Sequence, residues 1–251
     1  MSEAGSPVAI VTGGARGIGR SSALALAGRG YDVALVDLLL PEMRETAGAI
    51  EALGRRASVH EADVRHFELA RATVERIHAT WGRVDFLLNN AGAPMPKGIL
   101  EISEEEFDRT IAVNLKSCFN WCKAVAPIML AQGRGRIVSI SSLSAYSGGV
   151  TSAVSKFAYA AAKAGILGMT RALAKELGPQ VAVNAICPGV IVTELTKSLV
   201  EPRAGELVKG IALGRLGGPE DVAQLVAYLA TAEPSFMSGQ ALILDGFQWV
   251  A

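Results

Sequence analysis

A tyrosine and a lysine stand four residues apart in Tyr159-Ala160-Ala161-Ala162-Lys163. Alanine favours the helix most of all residues, and four residues is about one turn. The phenol and the ammonium therefore share one helix face. A nearby ammonium favours the phenolate, which turns a tyrosine into an acid or base usable near neutral pH. Alone, such a pair also describes two ordinary residues on a helix surface. The other tyrosines serve as controls: Leu35, Val150 and Ala232 follow Tyr31, Tyr146 and Tyr228 at the same spacing. Only Tyr159 has a cation one turn on.

The start of the chain predicts what such a pair would work with. Residues 7–12 form a continuous apolar run, as expected of a parallel strand buried on both faces. Gly13-Gly14-Ala15-Arg16-Gly17-Ile18-Gly19 follows, and then a helix is expected over 20–29. A glycine-rich turn between a buried strand and a helix can cradle phosphates. Glycine lets the backbone turn and the pyrophosphate approach, and the helix N-terminus supplies N–H groups. A second strand, 32–37, ends in Asp37, 18 residues after Gly19. That is close to the spacing at which a carboxylate accepts hydrogen bonds from an adenosine ribose. Asp37 would also repel a ribose 2′-phosphate, and Leu38, Leu39 and Leu40 place no cation directly after it. Arg16 is the one opposing signal. NAD is expected, and NADP is disfavoured. As plain structure, Asp37 would cap or turn the chain before Pro41.

The rest of the chain alternates in the same way. Helices are expected over 41–53 and 66–81, with strands over 56–61 and 84–89. Asp63-Val64 follows the third strand, where a polar residue could cap an adenine amino group. His60, Glu61, Asp63 and His66 match no zinc spacing, so no metal is expected. The fourth strand ends in Asn89-Asn90-Ala91-Gly92, at the carboxyl end where open α/β sheets bind ligands. Ser103-Glu104-Glu105-Glu106 caps a helix running, with interruptions, to about 131. Asn114 lies inside it, a poor helix-interior residue suited to a bend, a water or a network. A strand over 136–142 ends in serines. A Ser/Gly-rich loop, 143–158, then leads into the Tyr159 helix, which continues to about 177. A strand over 181–186 ends in Cys187-Pro188-Gly189, and Thr193 precedes another helix. Residues 203–218 are poorly patterned, as a mobile lid would be. A helix from Pro219 to about 230 and a strand over 239–245 complete the chain. The expectation is an α/β fold: one Rossmann-like, doubly wound domain over 1–251, with about seven mostly parallel strands flanked by helices. Its substrate loops are expected at 143–158 and 190–218.

Composition bounds the partners. The chain has 251 residues and equal numbers of basic and acidic side chains, 24 of each, so it offers no basic stripe for nucleic acid. No apolar run reaches the roughly 18 residues needed to span a bilayer. The N-terminal residues lack the basic flank of a secretory signal. Three cysteines, two of them one helical turn apart, suit a reduced interior better than a disulfide. A cytoplasmic protein with no nucleic-acid or membrane partner is expected.

With these pieces in order, the chain resembles the short-chain dehydrogenase/reductase family, from Val8 to about Gly246. The marks are the 12–19 glycine run, Asn89-Asn90-Ala91-Gly92, Asn114, Ser142, Tyr159 with Lys163, and Pro188-Gly189 with Thr193. The resemblance implies roles. Tyr159 would be the general acid/base. Lys163 would tune it and bind the nicotinamide ribose. Ser142, with Ser144 beside it, would hold the substrate oxygen, and Asn114 would hold a water that links Lys163 to solvent. Gly13, Arg16, Gly17, Ile18 and Gly19 would line the pyrophosphate, Asp37 the ribose, and Asp63 and Val64 the adenine. Asn90, Ala91 and Gly92 would flank the cofactor, and Pro188, Gly189, Val190 and Thr193 its nicotinamide end. The family also implies a homotetramer built on the two long helices after the fourth and fifth strands.

Two departures stand out. Sixteen residues separate Ser142 from Tyr159, more than the family usually has, which leaves Ser141, Ser142 and Ser144 as alternatives, with Ser142 preferred. Asp245-Gly246-Phe247-Gln248-Trp249 carries Gly-Phe where the family more often has Gly-Gly. Phe247 and Trp249 are expected at a subunit contact or a neighbouring pocket. The expected activity is NAD-dependent interconversion of a secondary alcohol and a ketone, on a small polar substrate such as a sugar, sugar acid or polyol. The alternatives are a 3-oxoacyl thioester reductase and a non-catalytic NAD-binding regulator. Serine hydrolysis is disfavoured: there is no G-x-S-x-G, and the three histidines lie far from the serine strand.

Overall fold

The computed structural model describes residues 5–148 and 155–248. Seven strands, β1 (Val8–Thr12), β2 (Asp32–Asp37), β3 (Ala57–Glu61), β4 (Phe86–Asn89), β5 (Gly135–Ile140), β6 (Val181–Pro188) and β7 (Ala241–Leu244), form one sheet. Their order is β3-β2-β1-β4-β5-β6-β7, and every pairing is parallel. The chain winds outward from β1 in one direction and then returns past it to β4. The gap between β1 and β4 is thus the topological switch point, where ligands bind in such sheets.

Both faces are covered, which is why the central strands read as unbroken apolar runs. In β1, Ala9 and Val11 belong to one core with α1 (Gly17–Ala27), α2 (Leu40–Ala52) and α10 (Pro219–Thr231). Val8 and Ile10 belong to another, with α3 (Phe67–Trp81), α5 (Ser117–Ala131) and the end of α7 (Phe157–Leu177). This is the two-residue period of a strand expressed in three dimensions. At the rim, Asp32 is 1% exposed and takes ion pairs from Arg55 and Arg56 at 2.5 and 2.6 Å. Burial pushes its carboxyl upward, but the Arg56 amide and the two guanidinium groups outweigh it, and the net shift is below the usual range.

The structure refines several expected bounds. Helix α1 starts at Gly17, inside the glycine run, so its N-terminus opens directly on the turn. The long helix after β4 is composite. Its first part, α4 (Glu104–Ile111), carries a full capping box, with the Ser103 hydroxyl and the Glu106 carboxylate each bonded to the other's backbone N–H. A π-helical turn, Ala112–Lys116, holds Asn114, and α5 follows. Ser141 and Ser142 lie just beyond β5 rather than in it. The short α6 (Ser144–Ser147) follows them, and residues 149–154 of the expected long loop lie outside the described residues. The stretch over 190–218 holds α8 (Lys197–Val200), a 3₁₀ turn (Glu201–Arg203) and α9 (Ala204–Lys209), and is tied across its base by an Ile191–Gly217 bridge. One-turn helices are too short to leave a period in the sequence. No helix among the described residues is long and apolar enough to cross a membrane.

Candidate active site

The carboxyl ends of the strands enclose a cleft of about 670 Å³. At its centre is the glycine-rich turn. Gly13 and Gly14 both donate to the Val36 carbonyl, at 2.8 and 3.3 Å, which bends the chain sharply out of β1. Gly13 has φ +66° and Gly17 φ +54°, conformations that favour glycine. Gly13, Arg16, Gly17 and Ile18 line the cleft. Gly19 does not. A Cβ there would lie 1.9 Å from the Gly13 carbonyl oxygen, so Gly19 lets α1 press against the turn. Asn90 lines the cleft and also braces it. Its Nδ2 donates to the Thr12 and Gly13 carbonyls, both at 3.1 Å, and its backbone N–H donates to Thr12 Oγ1 at 3.0 Å. Ala91 and Gly92 continue this wall.

Asp37 stands at the end of β2, on the cleft wall. One carboxylate oxygen accepts from Ala15 N at 3.2 Å, and the other from Leu38 N at 2.7 Å and Leu39 N at 3.3 Å. It is therefore both a turn residue and a cleft residue, and free lone pairs remain on the oxygen facing the glycine turn. Asp63 and Val64 form the next wall. The Asp63 carboxylate is gripped by Arg65, whose guanidinium donates at 2.6 to 3.0 Å and whose backbone N–H donates at 3.0 Å. These bonds hold its carboxyl below the usual range, against burial. Asn120, from α5, donates to the Val64 carbonyl at 3.0 Å.

At the other end, α7 places Tyr159 and Lys163 on the cleft as their spacing predicts. The Lys163 ammonium lies 5.5 Å from the Tyr159 ring centroid. Lys163 is 3% exposed, and its Nζ donates to the Ile140 carbonyl at 2.7 Å. A buried ammonium has three donors, and one bond leaves two that seek an oxygen. Ser141 and Ser142 point to different tasks. The Ser141 hydroxyl is buried and donates to the Lys163 carbonyl at 2.8 Å, which ties α7 to the end of β5. Ser142 and Ser144 line the cleft, and Ser142 Oγ accepts from Ser144 N at 3.1 Å.

Asn114 sits at a break in its helix and in a hydrogen-bond network, as a poor helix-interior residue should. It is fully buried and lines a second cavity of about 230 Å³, which shares Ala93, Pro94, Arg109 and Val113 with the main cleft. Its Nδ2 donates to the Ala93 and Thr110 carbonyls, both at 3.0 Å, and its Oδ1 accepts from Ala93 N at 3.2 Å. Both side-chain donors are spent on backbone, so the side chain clamps the loop after β4 to the π-helical turn. A Cβ at Gly92 would come within 2.9 Å of Asn114 Oδ1 and 3.5 Å of Lys163 Nζ, so the two side chains face each other across a residue that must stay small.

Pro188, Gly189, Val190 and Thr193 complete the wall beyond β6. Thr193 lies within 3.4 Å of where a Gly17 side chain would begin, so the turn after β6 closes over the glycine turn. Leu199, Val200, Arg203 and Leu207 roof the cleft from the 197–209 stretch. These residues, with Arg65, Arg109 and Gln248, carry no motif spacing and are brought in only by folding. Phe247 is exposed, and Trp249 lies outside the described residues. Among the described residues no group of three potential metal ligands exists. His60 instead bonds Ser58 Oγ at 2.8 Å, and His66 lies 3.8 Å from Asp63. The three cysteines are buried and free, and burial pushes the Cys122 thiol up to about 12, so no thiol is poised as a nucleophile.

The residues present fit a dinucleotide. A turn closed to side chains opens on a helix N-terminus, a carboxylate stands at the β2 end, and a buried ammonium has donors to spare. Known proteins agree with this architecture. The family model described as enoyl-(acyl carrier protein) reductase matches residues 13–246. A 3-oxoacyl-(acyl-carrier-protein) reductase of Thermotoga maritima is 36% identical over 240 residues, covering 95% of this chain and 96% of the relative. A 2-dehydro-3-deoxy-D-gluconate 5-dehydrogenase of Escherichia coli is 36% identical over 248 residues, covering 97% and 95%. The crystal structure of a short-chain type dehydrogenase/reductase from Mycobacterium marinum superposes with a TM-score of 0.90 at 31% identity, covering 96% of this chain and 95% of that one.

Proposed function

This chain belongs to the short-chain dehydrogenase/reductase family, and we propose that it oxidises a secondary alcohol to a ketone, or the reverse, with NAD and with Tyr159 as general acid/base. The observation that carries the reading is the Tyr159–Lys163–Ser142 grouping at the mouth of a glycine-turn cleft. Bound NAD supplies the hydride acceptor. The chain supplies the rest. Ser142 orients the substrate hydroxyl, and Tyr159 removes its proton as the carbon gives up hydride. Lys163 offers its free donors to the ribose and to the proton path at Tyr159. Asp37 supports NAD: its carboxylate lines the cleft, and a ribose 2′-phosphate bound beside it would meet like charge.

The substrate is read as small and polar, a sugar, sugar acid or polyol, since Ser142, Ser144, Ser147 and Ser155 all line the cleft. The sugar-acid dehydrogenase among the relatives supports this. A second reading, a 3-oxoacyl thioester reductase, is supported by the acyl-carrier-protein reductase relatives and by the leucines of the roof. In the same proposal the enzyme is a cytoplasmic homotetramer joined through α5 and α7. The test is NAD reduction over sugars, sugar acids, polyols and 3-hydroxyacyl thioesters, by wild type and Tyr159→Phe. Turnover of a polyol or sugar acid by wild type is expected, with a loss of about 10³-fold or more in the variant and retained NADH binding. Turnover surviving in Tyr159→Phe would remove the assignment, and activity confined to thioesters would favour the second reading.

A further inference from the structure

The chain after β7 makes an unusual turn. Gly246 has φ +66° and Phe247 φ +61°, and Phe247 is the one non-glycine residue with positive φ among the described residues. A phenylalanine is strained in that region, so the surroundings must impose it. Phe247 N donates to Asp245 Oδ1 at 2.8 Å, Leu213 N to the Gly246 carbonyl at 3.1 Å, and Ala212 N to the Phe247 carbonyl at 3.4 Å. Phe247 is 65% exposed, so its own burial does not explain the turn. The turn carries the next residue, Gln248, back over Gly189 and onto the cleft wall. Gln248 Oε1 lies 2.9 Å from where a Gly189 Cβ would be, and that Cβ would also meet Asp245 at 2.7 Å, so only glycine leaves room there. Gln248 Oε1 is shielded from solvent and has no hydrogen-bond donor among the described residues. A shielded amide oxygen without a donor is unfavourable, and native proteins rarely keep one unless something outside the chain completes it.

The sheet shows where that donor would sit. Leu143 N donates to the Pro188 carbonyl and Gly189 N to the Leu244 carbonyl, both at 2.9 Å. The ends of β5, β6 and β7 therefore lie side by side; Ser142 and Gly189 follow β5 and β6, and Gln248, four residues beyond β7, is turned back over Gly189. Gln248 lies on the side away from the glycine turn on β1. We propose that Gln248 accepts a hydrogen bond from a second hydroxyl of the substrate, a few bonds from the reacting carbinol. Gln248 thereby selects polyhydroxylated substrates over simple secondary alcohols. This rests on reading Tyr159 and Ser142 as the reaction centre. A cofactor carboxamide N–H offers the same donor chemistry, and the test separates the two.

Wild type, Gln248→Leu, Gln248→Ser and Gln248→Glu are assayed with xylitol, D-gluconate and 2-butanol at saturating NAD, and NADH affinity is measured by fluorescence. The kcat/KM ratio of xylitol to 2-butanol should fall about five- to tenfold in Gln248→Leu and in Gln248→Ser, which is too short to reach. It should stay near wild type in Gln248→Glu, which keeps the acceptor. Should Gln248→Leu not fold, Gln248→Ser carries the same comparison. A ratio within twofold of wild type in both deletions overturns the inference, as does a change in NADH affinity with the ratio unmoved. If wild type oxidises 2-butanol better than either polyhydroxylated compound, Gln248 loses this role while the Tyr159 reading stands. Absence of turnover with any alcohol, thioesters included, removes both.

Discussion

Asp37 shows how one side chain can serve fold and ligand together. Its two oxygens hold the glycine turn and the entry to α2, and the same carboxylate faces the cleft. Its charge can be separated from its geometry, because Asn keeps an acceptor oxygen and loses the charge. In Asp37→Asn the preference for NAD over NADP in kcat/KM is expected to fall about tenfold, equal to roughly 1.4 kcal/mol of repulsion removed. Initial rates with both cofactors measure it, and an unchanged ratio would show that Asp37 only builds the turn. The carboxylate and its spacing were legible in the sequence. Its hydrogen bonds to Ala15 and Leu38 were not, because they depend on the way the glycine turn folds back over β2.

The element with the most unusual internal geometry is the interrupted helix after β4. A helix interior has no use for asparagine, and the sequence accordingly marked Asn114 as a bend or network residue. The structure makes it the centre of a π-helical turn, a feature often found at functional sites. Its amide joins Ala93 to Thr110, and so holds the loop after β4 beside Lys163. Asn114→Leu keeps the size and removes all three bonds. It should cost about 2–3 kcal/mol in urea unfolding, since it strands buried backbone groups. Turnover should fall at least tenfold with the loop released. A variant with wild-type stability would show that the π-helical turn forms without the amide.

At the scale of the molecule, the sheet carries a pH sensitivity remote from the cleft. Burial, aided by the nearby Arg76 charge, lowers the His60 pKa on β3 from 6.5 to about 4. Its unfolded value is near 6.5, so between the two the unfolded chain binds the extra proton. The stability from neutral His60 is complete above about pH 6.5 and is lost as pH falls through about 4. Urea unfolding at pH 7.5, 5.5 and 4.5 should show wild type losing stability across this window. His60→Gln, which can still bond Ser58, should lose less. Equal slopes would assign the acid sensitivity elsewhere.

Sequence by itself determined whatever depends on local pattern. The central strands appeared as apolar runs because both faces of the sheet are buried there. The glycine turn, Asp37, and the Tyr159–Lys163 pair appeared because their geometry is set within a few residues by helix and turn periods. Tertiary structure alone decided which of these residues meet, and which others join them. Gly19 reads like its neighbours yet turns to packing, since a contact between α1 and its own turn occupies the Cβ position. Ser141 and Ser142 are adjacent and both line the cleft, and only the position of α7 commits the Ser141 hydroxyl to the Lys163 carbonyl. Arg65, Arg109, the roof leucines and Gln248 come from segments far apart in the chain. No spacing rule connects them, because the parallel order of seven strands, not the order of the residues, sets the distances between strand ends.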